Sequence, residues 1–301
     1  MPPNEARIID SPDEASFPRS GHSLDEARAL CARLAAAHYE NFPVAPWLVP
    51  ARLRPAVQAI YAFARIADDF ADEPQHEGRR LQRLDEWGAM LGDCVRGEAI
   101  HPVFVALRDA MERHRLPPEP FRDLLRAFRQ DVGKSRYADQ AELLAYCRLS
   151  ANPVGRLILH LFGCADAQRL AWSDDICTAL QLTNHWQDVA IDAGRGRIYL
   201  PEDDRRRHGV AEEDLLAGRT SAGFSALMRE QTGRARQLFA RGRPLCDSVS
   251  GRLRWELRLT VHGGLRVLER IDAVDGDVFT RRPRLNVVDA LRILGRAMAW
   301  A

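Results

Sequence analysis

The chain contains 301 residues, enough to bury a sizeable core without disulfides or metal ions to hold it together. Its 43 basic and 42 acidic residues give a formal net charge of +1, so bulk charge predicts neither a nucleic-acid partner nor an acidic one. No run of about 18 uncharged apolar residues occurs, and we expect no transmembrane helix. Six scattered cysteines without a C-x-x-C pair favour a reducing cytoplasm over a disulfide scaffold or a structural zinc site.

The chain begins with a polar, proline-containing stretch. Residues 1–22 lack an apolar period and an apolar signal region, so we expect a disordered tail. The sequence Ser23–Glu26 is a capping box and predicts a helix start. Apolar residues then recur at helical spacing, with breaks at proline- and glycine-containing segments: 43–50, 116–120, 194–201 and 281–284. We predict one all-α domain of roughly ten helices over residues 23–301.

A first candidate site lies in an apolar segment from about Leu53 to Glu73. Polar side chains at i, i+4, i+7 and i+11 form one helical stripe: Tyr61, Arg65, Asp68 and Asp72. Asp69 lies beside this stripe. The other residues are apolar nearly all round, which predicts a buried helix whose carboxylates lie at the mouth of a cavity. Three carboxylates within one turn repel each other, and a hard cation such as Mg²⁺ or Mn²⁺ would neutralise them. The alternative is a solvated acidic helix end.

A second acidic stripe follows much later in the chain. Its members recur about once per helical turn on one face of an otherwise apolar helix: Gln181, Asn184, Asp188 and Asp192. Oxygen ligands in this arrangement indicate a metal site, and a polar face toward solvent is the alternative. We expect the two acidic helices to face each other across a bundle and to hold several Mg²⁺ ions. Such ions would bind a diphosphate, because Mg²⁺ completes its coordination with phosphate oxygens and water.

The two motifs together resemble the squalene/phytoene synthase family of all-α isoprenoid synthases, over about residues 24–298. DDFAD at 68–72 is similar to the first aspartate-rich motif of the family. QLTNHWQDVAIDAGRGRIYLP at 181–201 is similar to the second, including the R-x-Y-L-P that follows it. Matching spacing before the first motif adds His38, Phe42, Tyr61 and Arg65. The resemblance implies a helical bundle around a central cavity.

The resemblance also implies roles for individual residues. Six side chains would coordinate roughly two or three Mg²⁺ ions: Asp68, Asp69, Asp72, Asn184, Asp188 and Asp192. Four others would contact the diphosphate: Tyr61, Arg65, Arg197 and Tyr199. His38, Asn41, Phe42 and Gln181 complete the predicted substrate-binding set. Neutralising a diphosphate leaving group is work for metal ions and arginine, and the resulting carbocation needs an apolar cavity.

One segment departs from the family pattern. Where the family usually reads Y-C-x-x-V-A-G-x-V-G, this chain reads YCRLSANPVG from residue 146. The aromatic hydroxyl expected at one of the x positions is absent, Asn152 replaces a glycine, and Pro153 must bend the helix. Asn41 replaces a serine of the family pattern earlier in the chain. In the family, the lost tyrosine is associated with joining two farnesyl diphosphates head to head, so its absence argues against that step.

The remaining pattern resembles the bacterial hydroxysqualene synthases of the family. The implied activity is a lyase reaction of squalene and hopanoid biosynthesis, in which presqualene diphosphate and water give hydroxysqualene and diphosphate. No NADPH is expected. Asn41, Ser150 and Asn152 are candidates to position the water, although a proline kink also recruits such residues for structural reasons. The alternatives are a head-to-head synthase making presqualene diphosphate, dehydrosqualene or phytoene, and a non-catalytic relative that binds a partner.

A lipophilic substrate favours a cytoplasmic enzyme with peripheral membrane contact and a functional partnership with a presqualene diphosphate synthase. The arginine-rich segment 281–284 indicates a surface loop, with the mouth of the cavity or anionic lipid as alternative contacts. Residues 131–137 are similar to a family segment that often forms a flap, and a structural turn is the alternative. His185 lies off the acidic stripe and is predicted to be a packing residue.

Overall fold

A computed structural model describes residues 22–37 and 49–300. Within these ranges the regular structure is helical and contains no β-strand, which confirms the all-α class. The α-helices are α1 Leu24–Ala37, α2 Arg54–Asp72, α3 Arg80–Arg96, α4 Pro102–His114, α5 Glu119–Gly133, α6 Gln140–Ser150, α7 Asn152–Leu161, α8 Ala167–Gln187, α9 Val189–Gly194, α10 Glu202–Arg207, α11 Glu212–Leu216, α12 Ala222–Gly242, α13 Pro244–Ser248, α14 Gly251–Asp272 and α15 Val287–Ala299. A 3₁₀ helix spans Pro74–His76.

Helix boundaries follow the sequence signals where the structure describes them. The capping box forms: Glu26 N–H donates to Ser23 Oγ at 3.3 Å, and Ser23 N–H donates to the Glu26 carboxylate at 2.9 Å. Breaks occur at 116–120, 194–201 and 281–284, as predicted. The helices outnumber the prediction because several segments of five or six residues form helices of their own. Residues 1–21 and 38–48, which hold most of the expected tail and His38, Asn41 and Phe42, lie outside the described ranges.

The chain divides into two compact units. Within the described ranges, the first comprises residues 22–37 and 50–118, and the second comprises residue 49 and residues 119–300. The prediction of one domain over residues 23–301 stays a prediction. None of the described helices is long and apolar enough to cross a membrane.

In the first unit, α2 lies in the core. Pro55 occupies the first turn, where its missing N–H leaves no helical hydrogen bond unmade. Apolar residues cover most sides of the helix, and Phe63 and Phe70 pack against Trp87 of α3. The Trp87 indole N–H donates to the Phe63 carbonyl at 3.2 Å. This packing fixes the position of the acidic C-terminal turn of α2.

In the second unit, α8 packs against α6, α7, α12, α13 and α14. Glycines allow close approach at two places. A Cβ at Gly155 of α7 would overlap the side chains of Ser173 and Cys177 on α8, and a Cβ at Gly264 of α14 would overlap the buried Phe239 ring. The part of α8 that precedes the second acidic stripe is therefore held by tightly packed neighbours.

Candidate active site

The first aspartate-rich motif forms an ion-paired cluster at the end of α2. One Arg65 guanidinium nitrogen lies 2.5 Å from Asp69 Oδ1, and the other lies 3.4 Å from Asp68 Oδ2. Asp69 is buried, whereas Asp68 and Asp72 are partly exposed. The predicted stripe therefore exists, and Arg65 joins the aspartates within it.

Arg65 compensates the charge of the buried Asp69 only in part. Burial raises the pKa of Asp69 to about 6, with Arg65 opposing the rise and the carboxylates of Asp68 and Glu73 adding to it. Burial likewise raises the pKa of Tyr61, against the effect of Arg65. A buried carboxylate with a raised pKa favours the approach of a cation, which would restore its ionised form.

The second motif spans two helices and not one. α8 ends at Gln187 and α9 begins at Val189, with Asp188 between them at φ −108° and ψ 15°. The expectation of one continuous helix is corrected here, because Asp188 adopts the bridge region of backbone space. The N–H groups of Asp188 and Asp192 still donate to the carbonyls four residues earlier, each at 2.9 Å. The i, i+4, i+8 register of Asn184, Asp188 and Asp192 is thus retained.

A small pocket lies beside the second motif. It measures about 10 Å³, close to the space of one water molecule, and its lining includes Asp192, Arg197, Tyr199 and His185. The Tyr199 ring stacks on His185 with 3.6 Å between centroids and 15° between planes. Burial lowers the pKa of His185 to about 3, so this imidazole is neutral and serves as the predicted packing residue.

A phenol cluster adjoins this pocket, and the sequence reasoning missed it. The Tyr146 hydroxyl donates to Asp131 Oδ2 at 3.1 Å, and the Tyr146 ring lies near Tyr137 and Tyr199. Burial raises the pKa of all three phenols, so each remains protonated at neutral pH. The available signal was the similarity of residues 131–137 to a family segment, which placed Asp131 and Tyr137 near the site without naming a role.

Arg282 is a second residue that the sequence did not assign. Its Nε and Nη2 both lie 2.7 Å from Asp188 Oδ1. The Gln187 side chain donates to the Pro283 carbonyl at 2.5 Å. The arginine-rich segment therefore lies on the second motif at Arg282, and this was one of the alternatives open for residues 281–284.

The segment that departs from the family pattern, residues 146–155, contains a helix break in the second unit. α6 ends at Ser150 and α7 begins at Asn152, with Pro153 in the first turn of α7, so the expected bend is a complete interruption. Asn152 is buried, and its side-chain oxygen accepts from the Thr178 hydroxyl at 2.9 Å. The Ser150 hydroxyl is buried and has no hydrogen-bond partner among residues 22–37 and 49–300.

The remaining second-motif residues have different surroundings. Asn184 is exposed, and Gln181 Nε2 lies 3.2 Å from His185 Nε2. In the described part of the chain, no three acidic, histidine or cysteine side chains converge as a complete metal site. The donor chemistry still fits Mg²⁺, because both motifs offer oxygen ligands and Mg²⁺ takes only one or two carboxylates beside water and phosphate oxygens.

Residues 35–289 match the sequence profile of squalene/phytoene synthases. The chain belongs to this family. Squalene synthase HpnC from Alicyclobacillus acidocaldarius is 40% identical, with a TM-score of 0.80 over 84% of this chain and 95% of that one. A dehydrosqualene synthase with bound ligand has a TM-score of 0.82 over 92% of this chain and 97% of that one, at 24% identity, which supports the fold.

Phytoene synthases are also similar to this member of the family. Phytoene synthase 1 of Arabidopsis thaliana is 31% identical over 97% of this chain and 70% of the relative. Family membership identifies the chain as an enzyme of the squalene/phytoene synthase family, whose members act on prenyl diphosphates, with the isoprenoid synthase fold. The predicted resemblance to the bacterial hydroxysqualene branch is supported by the similarity to HpnC.

Proposed function

We propose that this enzyme converts presqualene diphosphate and water into hydroxysqualene and diphosphate. The observation that carries the proposal is the segment from Tyr146 to Gly155. The two x positions, one of which carries an aromatic hydroxyl in the family pattern, hold Arg148, which is exposed, and Leu149. This chain therefore lacks the group associated with head-to-head joining while both aspartate-rich motifs are intact. The 40% identity to a bacterial squalene synthase supports the same branch.

The polar residues act on the leaving group. Asp68, Asp69 and Asp72 of the first motif and Asn184, Asp188 and Asp192 of the second would hold Mg²⁺. The bound ions supply Lewis-acid neutralisation of the diphosphate charge. Arg65, Arg197, Tyr61 and Tyr199 bind and orient the diphosphate. The bond between carbon and the diphosphate oxygen breaks with its electron pair on oxygen, and these donors stabilise the charge that develops there.

The helix break supplies candidates for the water step. The carbocation rearranges, a water oxygen forms the new bond to carbon, and that water gives a proton to the released diphosphate. Thr178 fixes the orientation of the Asn152 amide. Ser150 lies two residues earlier in the chain, and its hydroxyl has no protein partner among the described residues. A buried hydroxyl requires a hydrogen-bond partner, and one water at Ser150 would meet this need. Asn152 and Ser150 would thereby position the nucleophile.

The second candidate function is head-to-head synthesis from two prenyl diphosphates. It is favoured by the phytoene synthases among the relatives, such as the one from Arthrospira platensis at 32% identity over 88% of this chain. On this alternative, the Tyr146–Asp131 pair would have to serve in place of the absent aromatic hydroxyl.

Product analysis separates the two functions. Purified enzyme with Mg²⁺ is incubated with presqualene diphosphate or with farnesyl diphosphate, each with and without NADPH, and products are identified by gas chromatography–mass spectrometry. We expect hydroxysqualene from presqualene diphosphate alone, in equal amount without NADPH. Turnover of farnesyl diphosphate into a head-to-head product would contradict the proposal and establish the alternative.

Two variants test the water step. We expect Asn152→Gly and Ser150→Ala to reduce the alcohol product in favour of hydrocarbons, while diphosphate release continues. An unchanged product ratio in both would remove these residues from the proposed role. Diphosphate release that falls with the alcohol would instead indicate a structural effect at the break.

A further inference from the structure

The C-terminal helix α15 has apolar side chains on two opposite faces. Its inward face packs on α14 through Ile293 and Ala297. Its outward face carries a stripe at i, i+4, i+7 and i+11: Val287, Leu291, Leu294 and Met298. These side chains are strongly exposed, with Leu291 at 66% and Met298 at 65%. A surface helix ordinarily shows polar residues there, so the stripe indicates a contact that the chain itself does not supply.

The position of α15 is fixed by buried charge. Asn286 and Asp289 form a capping box at its start. Asp289 is completely buried, and its carboxylate accepts from Arg266 and Arg270 of α14. The outward stripe is therefore presented by an anchored helix and not by a frayed terminus.

The segment that carries the stripe is rich in basic residues and poor in acidic ones. From residue 281 to residue 300 the basic residues are Arg281, Arg282, Arg284, Arg292 and Arg296, and the single acidic residue is the buried Asp289. Arg282 pairs with Asp188, and Arg296 pairs with Glu269. Within the part of the chain that the structure describes, the exposed Arg281, Arg284 and Arg292 form no ion pair within 4.0 Å, although Arg281 lies near enough to Asp277 to help lower the pKa of that carboxyl.

We infer that the outward face of α15, with Arg281, Arg284 and Arg292, binds the surface of an anionic lipid bilayer. An exposed apolar stripe beside unpaired arginines matches a helix that lies in the bilayer interface, with apolar side chains among the acyl chains and arginines at anionic headgroups. A two-fold contact with a second copy would bring this arginine-bearing face against itself, where like charges repel. The inference concerns binding alone and does not depend on the proposed reaction.

Vesicle co-sedimentation tests this inference. The full chain is mixed with vesicles of phosphatidylcholine, or of phosphatidylcholine with phosphatidylglycerol, at low and high salt. We expect binding to the anionic vesicles that weakens as salt rises. Arg292→Gln should lower the vesicle affinity about fivefold, because this is the contribution of one arginine to binding at an anionic surface. Leu291→Gln should lower it by at least about tenfold through loss of apolar burial.

Matched controls come from the same unit. Leu216→Gln replaces another exposed leucine, on α11, and Arg206→Gln replaces an exposed arginine of α10. Both should bind anionic vesicles like the unsubstituted chain, and all variants should retain its circular dichroism and its turnover in detergent. Equal binding to neutral vesicles, or unchanged affinity in the α15 variants, would overturn the inference. So would a dimer in light scattering that Leu291→Gln converts to a monomer.

Discussion

Asp69 is a carboxylate whose surroundings neutralise it only in part. Arg65 reaches both Asp69 and Asp68, so one guanidinium serves two carboxylates, and Glu73 lies 4.0 Å from the same arginine. Burial of Asp69 outweighs the attraction of Arg65, which is why its pKa rises to about 6. The balance identifies the end of α2 as a place where an added cation would stabilise the ionised form.

This raised pKa gives a pH prediction. Protons and Mg²⁺ compete for Asp69, so we expect Mg²⁺ affinity to rise about tenfold between about pH 5 and pH 7 as the carboxyl ionises. Without Mg²⁺, the free energy of unfolding should fall as pH rises from about 4 through about 6, because the folded state holds the proton more tightly than the unfolded state. Calorimetric titration and chemical denaturation measure the two effects. Asp69→Asn should abolish both, and an unchanged pH profile in that variant would assign them elsewhere.

Arg282 supplies a second prediction at this scale. It donates to Asp188, a residue proposed to hold Mg²⁺, so the guanidinium and the metal compete for one carboxylate. We expect Arg282→Gln to strengthen Mg²⁺ binding about threefold in the absence of substrate, because Mg²⁺ would no longer have to displace a partly exposed ion pair of that strength. Calorimetric titration measures this. Arg241→Gln, which removes an arginine paired with Asp175 of α8, is the control and should leave the affinity unchanged.

At the scale of elements, the sequence predicted what local chemistry determines. Prolines, glycines and the Ser23 capping box set the helix ends, and apolar periodicity gave the buried α2. The helix break at Asp188 was not predictable, because the sequence contains no proline or glycine at this point. The break arises from the backbone angles of Asp188 alone. Arg282 was not assigned because its partner is 94 residues away in the chain, and no local pattern encodes such a pairing.

Adjacent glycines of α14 test how closely its neighbours pack. A Cβ at Gly264 would overlap the buried Phe239 ring and lie 3.2 Å from Leu180, whereas a Cβ at Gly263 would meet nothing within 4 Å. We expect Gly264→Ala to lower the free energy of unfolding by about 1–3 kcal/mol through overpacking. Gly263→Ala should raise it by up to about 1 kcal/mol, because alanine favours the helix. Chemical denaturation measures both, and equal effects of the two substitutions would contradict the packing described here.

At the scale of the whole molecule, fold class and family followed from the sequence, but the activity within the family did not. The chain is similar over most of its length to enzymes named for squalene, dehydrosqualene and phytoene synthesis. On the proposed roles, the aspartate-rich motifs would bind the diphosphate that these substrates share, and so they would not distinguish the products. On the same proposal, product choice depends on the positions that differ from the family pattern, here Arg148, Leu149 and Asn152, and on how a carbocation is contained and quenched. Those properties depend on tertiary packing, which no local motif encodes.

Ligand-induced stabilisation tests the shared chemistry without a prenyl chain. A ligand that binds only the folded state raises the unfolding temperature by mass action. With the complex of Mg²⁺ and inorganic diphosphate at about 100 times its dissociation constant, we expect a gain of about 2.7 kcal/mol, or about 5 °C for a chain of this size. Either ligand alone should give a much smaller shift, because Mg²⁺ takes part of its coordination from phosphate oxygens. Asp188→Asn should lose the joint effect, and Asp175→Asn on the preceding helix α8 should keep it. An equal shift in both variants would separate the second motif from diphosphate binding.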